Sequence, residues 1–257
     1  MSAIFELSGV TKNFGGVQAV SDMSFAVAEG ELAGLMGPNG AGKTTIFNLV
    51  TGVYSPDKGA ILFRGEDLTS LKTYRIIRKG IARTFQNLRL FQRSTVLENV
   101  MTAAQQHVPY TFLEGVTHLG RWRGKEKEIR KKSMGLLERV GLADRAGQAA
   151  GTLPYGFQRR LEIARALALD PKLLLLDEPA AGMNAEEVIS LNALIQAIHR
   201  DFDLTILVIE HHMDLVMEIC PHIVCMNFGA KIAEGTPEQI QNHPEVLKAY
   251  LGEEEDE

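Results

Sequence analysis

The chain has 257 residues, 45% of them hydrophobic, and a formal net charge of −5 at pH 7. That length suits one large domain or two small ones with a real core, and the negative balance weighs against a general nucleic-acid binder. No apolar run reaches the ~20 residues of a membrane span, the N-terminus carries no basic-then-apolar signal, and the two cysteines, Cys220 and Cys225, lack a metal spacing and read as reduced packing thiols of a cytosolic protein.

Ile4–Val10 alternates and reads as a strand. Phe14 and the turn Gly15-Gly16 follow, then a second strand over Ser24–Val27. Glu31–Met36 is short and apolar, as a buried strand is. It runs into Gly37-Pro38-Asn39-Gly40-Ala41-Gly42-Lys43-Thr44, which fits G-x-x-x-x-G-K-[ST], and Thr45–Val50 continues at helical spacing with Gly52 as a stop. Strand, glycine-rich loop and helix together predict a phosphate site. Small residues let backbone N–H groups surround an anion, and the helix N-terminus points positive charge at it. Lys43 is a flexible point charge for β- and γ-phosphates, and the Thr44 hydroxyl suits Mg²⁺.

Gly59–Phe63 reads as a further strand, and the short links between these early strands predict antiparallel pairing. Thr73–Lys79 is expected to be helical and Ile81–Phe85 a strand leading into Gln86. From Asn87 to about Leu169 only helical patterns occur. Thr95-Val96-Leu97-Glu98 is a capping box opening a helix to about Gln106. Val108–Gly120 holds Pro109, Gly115 and Gly120 and reads as a connection. Lys125–Val140 is amphipathic and stopped by Gly141. The basic run Arg121–Lys132 also carries Glu126 and Glu128, so a solvated helical face accounts for it. Leu153–Arg160 precedes a helix over Leu161–Leu169, with Tyr155 and Gly156 at its N-terminus, a second anion-seeking end.

The α/β pattern then returns. Leu173–Leu176 is a continuous apolar run, as in a central parallel strand, and ends in Asp177-Glu178-Pro179. Carboxylates at a strand's C-terminal end lie where α/β sheets bind ligands. Asp177 suits a Mg²⁺ shell, and Glu178 can orient and deprotonate a water. Asn184–His199 is a capped helix, Thr205–Ile209 a buried strand, and His212–Ile219 helical. Ile223–Met226 and Lys231–Glu234 flank the turn Asn227-Phe228-Gly229-Ala230 as a hairpin. Thr236-Pro237-Glu238-Gln239 caps a closing helix, Pro244 starts the last one, and Glu253–Glu257 is an acidic tail expected to fray. Gln86 could sense metal and water, and His211 could donate to a γ-phosphate, though a glutamine alone is usually a surface residue and a strand-end histidine alone is more often structural.

In this order the elements resemble an ABC-transporter ATP-binding subunit. Gly37–Thr44 matches Walker A, Gln86 the Q-loop, Leu153–Gln158 the signature motif, Leu173–Asp177 Walker B, Ala181–Asn184 the D-loop and His211 the switch histidine. The runs Arg83–Phe91, Arg159–Arg165, Glu178–Asn184 and Glu234–Ile240 resemble the first ATPase of bacterial branched-chain amino-acid importers. The resemblance implies a P-loop α/β core, mixed sheet with an antiparallel part, over 1–88 and 170–257, and an inserted helical subdomain over 89–169. It implies ATP and Mg²⁺, with catalytic Glu178, His211 and Gln86. It places nucleotide on Phe14, Gly37, Asn39, Gly40, Ala41, Gly42, Lys43, Thr44, Thr45, Tyr155 and Gly156, and metal on Thr44, Gln86 and Asp177.

The partners it implies are a second ATPase subunit head to tail, two membrane permease subunits and, indirectly, a periplasmic solute-binding protein, with no nucleic acid. Its place would be the cytoplasmic face of the inner membrane. Pro154 and Phe157 stand where the signature has serine and glutamine, Asn184 where the D-loop has aspartate, and His212 where aspartate is usual. The alternatives are the ATPase of a lipopolysaccharide-type exporter, that of a urea or amide importer, a soluble nucleotide-dependent switch, and a P-loop kinase.

Overall fold

The computed structural model describes residues 3–107, 122–211 and 213–251. The expected connection Val108–Gly120, Arg121, His212 and the acidic tail lie outside the described residues. Two sheets stack. In the first, β1 (Ala3–Phe14), β2 (Val17–Ala28), β4 (Lys58–Phe63) and β5 (Glu66–Asp67) lie in the order β2-β1-β4-β5, all antiparallel. The Gly15-Gly16 turn joins β1 to β2 as read, but both strands run longer than their apolar cores, because hairpin pairing carries Thr11–Phe14 and Val17–Val20 into the ladder.

The second sheet has six strands, β10-β9-β3-β8-β7-β6. These are β3 (Leu32–Met36), β6 (Ile81–Arg83), β7 (Leu173–Asp177), β8 (Thr205–Glu210), β9 (His222–Asn227) and β10 (Ala230–Gly235). All pairings are parallel except the β9–β10 hairpin. β3, β7 and β8 are buried at every position, which is why they read as unbroken apolar runs. Alternate residues still serve opposite faces. Leu173, Leu175, Leu207 and Ile209 pack with the antiparallel sheet and Phe47 of α1 (Lys43–Val50), while Leu174, Leu176, Ile206 and Val208 pack with the helices on the other side.

Those helices include α3 (Val96–Ala104), α4 (Trp122–Arg139), α5 (Tyr155–Leu167), α6 (Ala185–Phe202) and α7 (Met213–Ile219). α2 (Thr73–Arg78), α8 (Pro237–Gln241) and α9 (Pro244–Leu251) complete the described set. Three capping boxes form, Thr95 with Glu98, Asn184 with Glu187 and Thr236 with Gln239. α5 starts at Tyr155, not at Leu161. Pro154, with φ −53° and no N–H to satisfy, opens the helix six residues early. β6 ends at Arg83, three residues before Gln86. Both cysteines are free and buried, and burial pushes the Cys225 thiol up to about 12.

Candidate functional site

The strand register lines up four chain reversals on one edge of the larger sheet. Met36 pairs with Glu210, and Asp177 with Ile209, so β3, β8, β7 and β6 end side by side. Each of these ends runs into residues singled out from the sequence: Gly37–Thr44, His211, Glu178 and Gln86. At ~4.8 Å per strand, Walker A and Walker B stand about 10 Å apart across β8.

The glycine-rich loop closes as the sequence requires. Gly42 caps α1 with φ +102° and no side-chain hydrogen bond, and a Cβ there would stand 2.4 Å from the Ala19 carbonyl oxygen. A Cβ on Gly37 would stand 2.1 Å from the Met226 carbonyl oxygen. The loop therefore leans on β2 and on the β9–β10 turn, whose Gly229 N–H donates to the Ala41 carbonyl at 2.9 Å. The Lys43 ammonium is buried and donates to the carbonyls of Gly37 (2.6 Å) and Pro38 (2.8 Å). Asn39 to Thr45 line a cleft of ≈ 340 Å³ together with Glu178, Val17–Ala19, Phe228 and Gly229.

Glu178 is 8% exposed and sits at φ +44°, a left-handed position that a non-glycine residue occupies at a cost. Its N–H donates to Ile209 O at 3.0 Å, which fixes the turn. The carboxylate accepts a 2.6 Å hydrogen bond from Gln86 Nε2, and His211 Nδ1 lies 3.9 Å from its other oxygen. Asp177, next to it, is buried. Arg83 pairs with Asp177 Oδ2 at 2.5 Å, and Oδ1 has no hydrogen-bond partner. An orphaned buried carboxylate oxygen beside a phosphate-type loop is the donor a hard cation takes. Among the described residues no three His, Cys, Asp or Glu side chains stand together as a metal cage.

Gln86, Asp177, Glu178, His211 and the 37–45 loop thus come together. Phe14 does not line the cleft; it is 41% exposed and packs edge-on against Tyr54, with centroids 5.0 Å apart. Tyr155 and Gly156 stand elsewhere, at the uncapped start of α5, where a Cβ on Gly156 would meet Glu187 Oε1 at 3.0 Å. The sequence reading gave no role of their own to Arg83, Arg159, Glu162 and Glu210. Arg83 ties Asp177 to α1 through Asn48 Oδ1 (2.8 Å), and Glu210, fully buried, accepts from Ala180 N at 3.0 Å. A charge at the end of an apolar strand needs a buried partner, and that signal was present in both cases.

A second cleft, of ≈ 210 Å³, opens between the sheet edge and the helices and is lined by Thr73, Ile76, Ile77, Phe85, Arg89 and Arg165, among others. Phe91 beside it is half exposed under the Arg165 guanidinium, whereas Leu90 is core.

Among protein families, the one described as ABC transporter matches residues 20–181. The chain is an ABC-transporter ATP-binding protein. As such it is an ATPase of the kind that couples hydrolysis to transport. The family described as branched-chain amino acid ATP-binding cassette transporter matches residues 230–256 of this cassette. It is 48% identical to the high-affinity branched-chain amino acid transport ATP-binding protein BraF of Pseudomonas aeruginosa, over 97% of this chain and 98% of that one. It is 44% identical to LivG of Escherichia coli K12, likewise a high-affinity branched-chain amino acid transport ATP-binding protein, at the same coverage. The crystal structure of the ADP conformation of MJ1267, an ATP-binding cassette of an ABC transporter, superposes with a TM-score of 0.86 at 30% identity, covering 98% of this chain and 100% of that one. No helix among the described residues is long and apolar enough to cross a membrane.

Proposed function

We propose that this cassette powers import of branched-chain amino acids in a bacterium from the cytoplasmic face of the inner membrane. It works head to tail with a second ATPase subunit, beneath two permease subunits served by a periplasmic binding protein. The observation that carries the chemistry is the single cleft shared by the 39–45 loop and Glu178. The names of the relatives, and the match at the C-terminal end, support the solute.

In this reading the Lys43 ammonium turns from the carbonyls of Gly37 and Pro38 to the β- and γ-phosphates, and the N–H groups of Gly40–Thr45 surround them. Phe14, exposed outside the cleft, stacks on a base that extends beyond the cleft lining. Glu178 accepts a proton from water while Gln86 orients its carboxylate, and His211 donates to the γ-phosphate. Thr44, Gln86 and Asp177 are the residues that would hold Mg²⁺, Asp177 through its unpartnered Oδ1. Bound there, the ion would neutralise phosphate charge. Tyr155 and Gly156 close over the partner's nucleotide through the α5 N-terminus. Pro154 brings no hydroxyl to that contact, so backbone N–H groups make it.

The 89–169 helices form the subdomain that, with α2, frames the second cleft, and we assign that cleft to a cytoplasmic helix of the permease. Residues 68–97 carry seven Lys or Arg and no Asp or Glu, although the whole chain has a net charge of −5, so acidic groups on that helix would be attracted. Lys43→Ala is the test of the phosphate assignment. ATP binding, measured by calorimetry, should be lost, and retained tight binding would overturn the reading. For the solute, ATPase activity of the complete complex should rise with leucine, isoleucine or valine and not with urea.

A further inference from the structure

Arg159 has 0% of its surface exposed, the largest side chain so buried among the described residues. Both terminal nitrogens of its guanidinium are engaged away from solvent, while the buried Nε has no hydrogen-bond partner. Nη1 donates to Phe85 O at 2.7 Å and to Glu162 Oε2 at 3.0 Å. Nη2 donates to Gln86 O at 3.0 Å and to the Tyr155 hydroxyl at 2.9 Å. Glu162 is 5% exposed and returns the link from its other oxygen, which accepts the Phe85 N–H at 3.1 Å. Both polar groups of the Phe85 peptide unit, and the carbonyl of Gln86, are thereby held by one ion pair on α5.

This pair sits between two parts of the site, and the Tyr155 ring also lies against Gly182, four residues past Glu178. Upstream on the same helix, Tyr155 and Gly156 form the end that the paired reading turns toward the other subunit's nucleotide. Downstream, Gln86 Nε2 reaches Glu178 at 2.6 Å. One path from α5 to Glu178 runs from the Arg159 guanidinium to the Gln86 carbonyl and from the Gln86 amide to the carboxylate, two hydrogen bonds joined by a single residue. A planar fork with fixed donor directions transmits orientation, which a point charge does not. A buried ion pair is weak evidence for stability, since apolar side chains of similar volume commonly serve as well. The geometry therefore points to a use beyond holding the fold.

We propose that Arg159, paired with Glu162, is a positioning residue that couples the two nucleotide sites of a subunit pair: movement of α5 as it closes over the partner's nucleotide sets the Gln86 contact on this subunit's own Glu178. The proposal rests on the head-to-tail reading above. Severing the tie leaves nucleotide binding intact, slows hydrolysis and makes the two sites independent.

The test compares the full chain with Arg159→Lys and with the double variant Arg159→Met, Glu162→Met, which removes the ion pair without stranding one charge. ATP affinity should stay within about twofold, while kcat falls by about 10²-fold, the loss that follows a displacement near 1 Å at a reacting centre. The Hill coefficient for ATP hydrolysis should fall toward 1, and Arg159→Lys should recover less than a tenth of the lost rate. A merely structural role would lower the melting temperature and leave kcat per folded molecule and the Hill coefficient unchanged; that outcome overturns the proposal. Glu178→Gln, with and without the double substitution, keeps the two readings apart. An ATP-dependent dimer in both, with the kinetic loss above, supports the coupling. Failure of Glu178→Gln alone to dimerise overturns the paired reading and this one with it.

Discussion

Replacing Glu178 by glutamine separates the shape of the site from its chemistry. The new side chain has the same length, the same backbone at φ +44°, and an oxygen that can still accept from Gln86. A hydrogen bond to a charged acceptor contributes about 1 kcal/mol more than one to a neutral acceptor. The site is only 8% exposed, so removing a charge from it also relieves desolvation in the opposite direction. The net change in stability should be no more than about 1 kcal/mol, a shift in melting temperature of about 2–4 °C for a chain of this size. Turnover should respond quite differently. Losing a positioned acid–base group costs about 10²–10⁴ in kcat, or roughly 2.7–5.4 kcal/mol of barrier. Steady-state phosphate release, calorimetric ATP affinity and a thermal melt read the three quantities separately. Glu178→Asp adds a control, since it keeps the charge but withdraws it from Gln86, and about 10²-fold loss is expected there as well. If Glu178→Gln binds ATP and turns over within threefold of the parent, another group accepts the proton and the assignment fails.

Gly42→Ala should unfold the loop rather than merely slow it, because φ +102° and a Cβ 2.4 Å from the Ala19 carbonyl oxygen both oppose it; a loss of at least ~2 kcal/mol by urea denaturation is expected, together with loss of ATP binding. At the far edge of the sheet, His222 lies between Glu31 (2.8 Å) and Glu234 (3.1 Å). The hydrogen bond to Glu31, chiefly, raises its pKa above the usual 6.5 despite burial. Burial pushes Glu31 up, but hydrogen bonds from His222 and the Ala28 N–H outweigh it and leave it below 4.5. The histidine contribution is fully present below pH 6.5 and is lost as pH rises through the raised value, while the glutamate contribution is present above pH 4.5 and is lost as pH falls through the lowered one. Stability relative to His222→Phe should therefore peak between pH 4.5 and 6.5, and a flat difference in melting temperature across pH 4–9 would contradict the pairing.

Much of this was readable in advance because the site is built from strand ends, and strand ends are where apolar runs stop. Glu31–Met36, Leu173–Leu176 and Thr205–Ile209 mark three neighbouring strands, and the residues after them are the site. What could not be read was the order β9-β3-β8-β7-β6, since each pairing is non-local and no local pattern encodes it. The start of α5 was misplaced because proline was treated as a preceding residue rather than as a helix opener. Arg159 and Glu162 stand three apart on a helix, a spacing that does not tell a buried pair from a solvated one. Only packing shows that both are buried and hold the Phe85 peptide. Phe14 sits on its hairpin end as the spacing suggested, but its place outside the cleft lining was not legible, because it depends on how the two sheets stack.

The glycine-rich loop is braced from outside by the carbonyl of Met226 and the N–H of Gly229, some 190 residues further along the chain. A ribosome has thus made each motif from Walker A to the switch histidine before the phosphate cradle has a back wall. A nascent chain that stalled after His211 would carry a complete set of sequence marks and no rigid nucleotide pocket. The loop gains these braces only once the β9–β10 hairpin has been made.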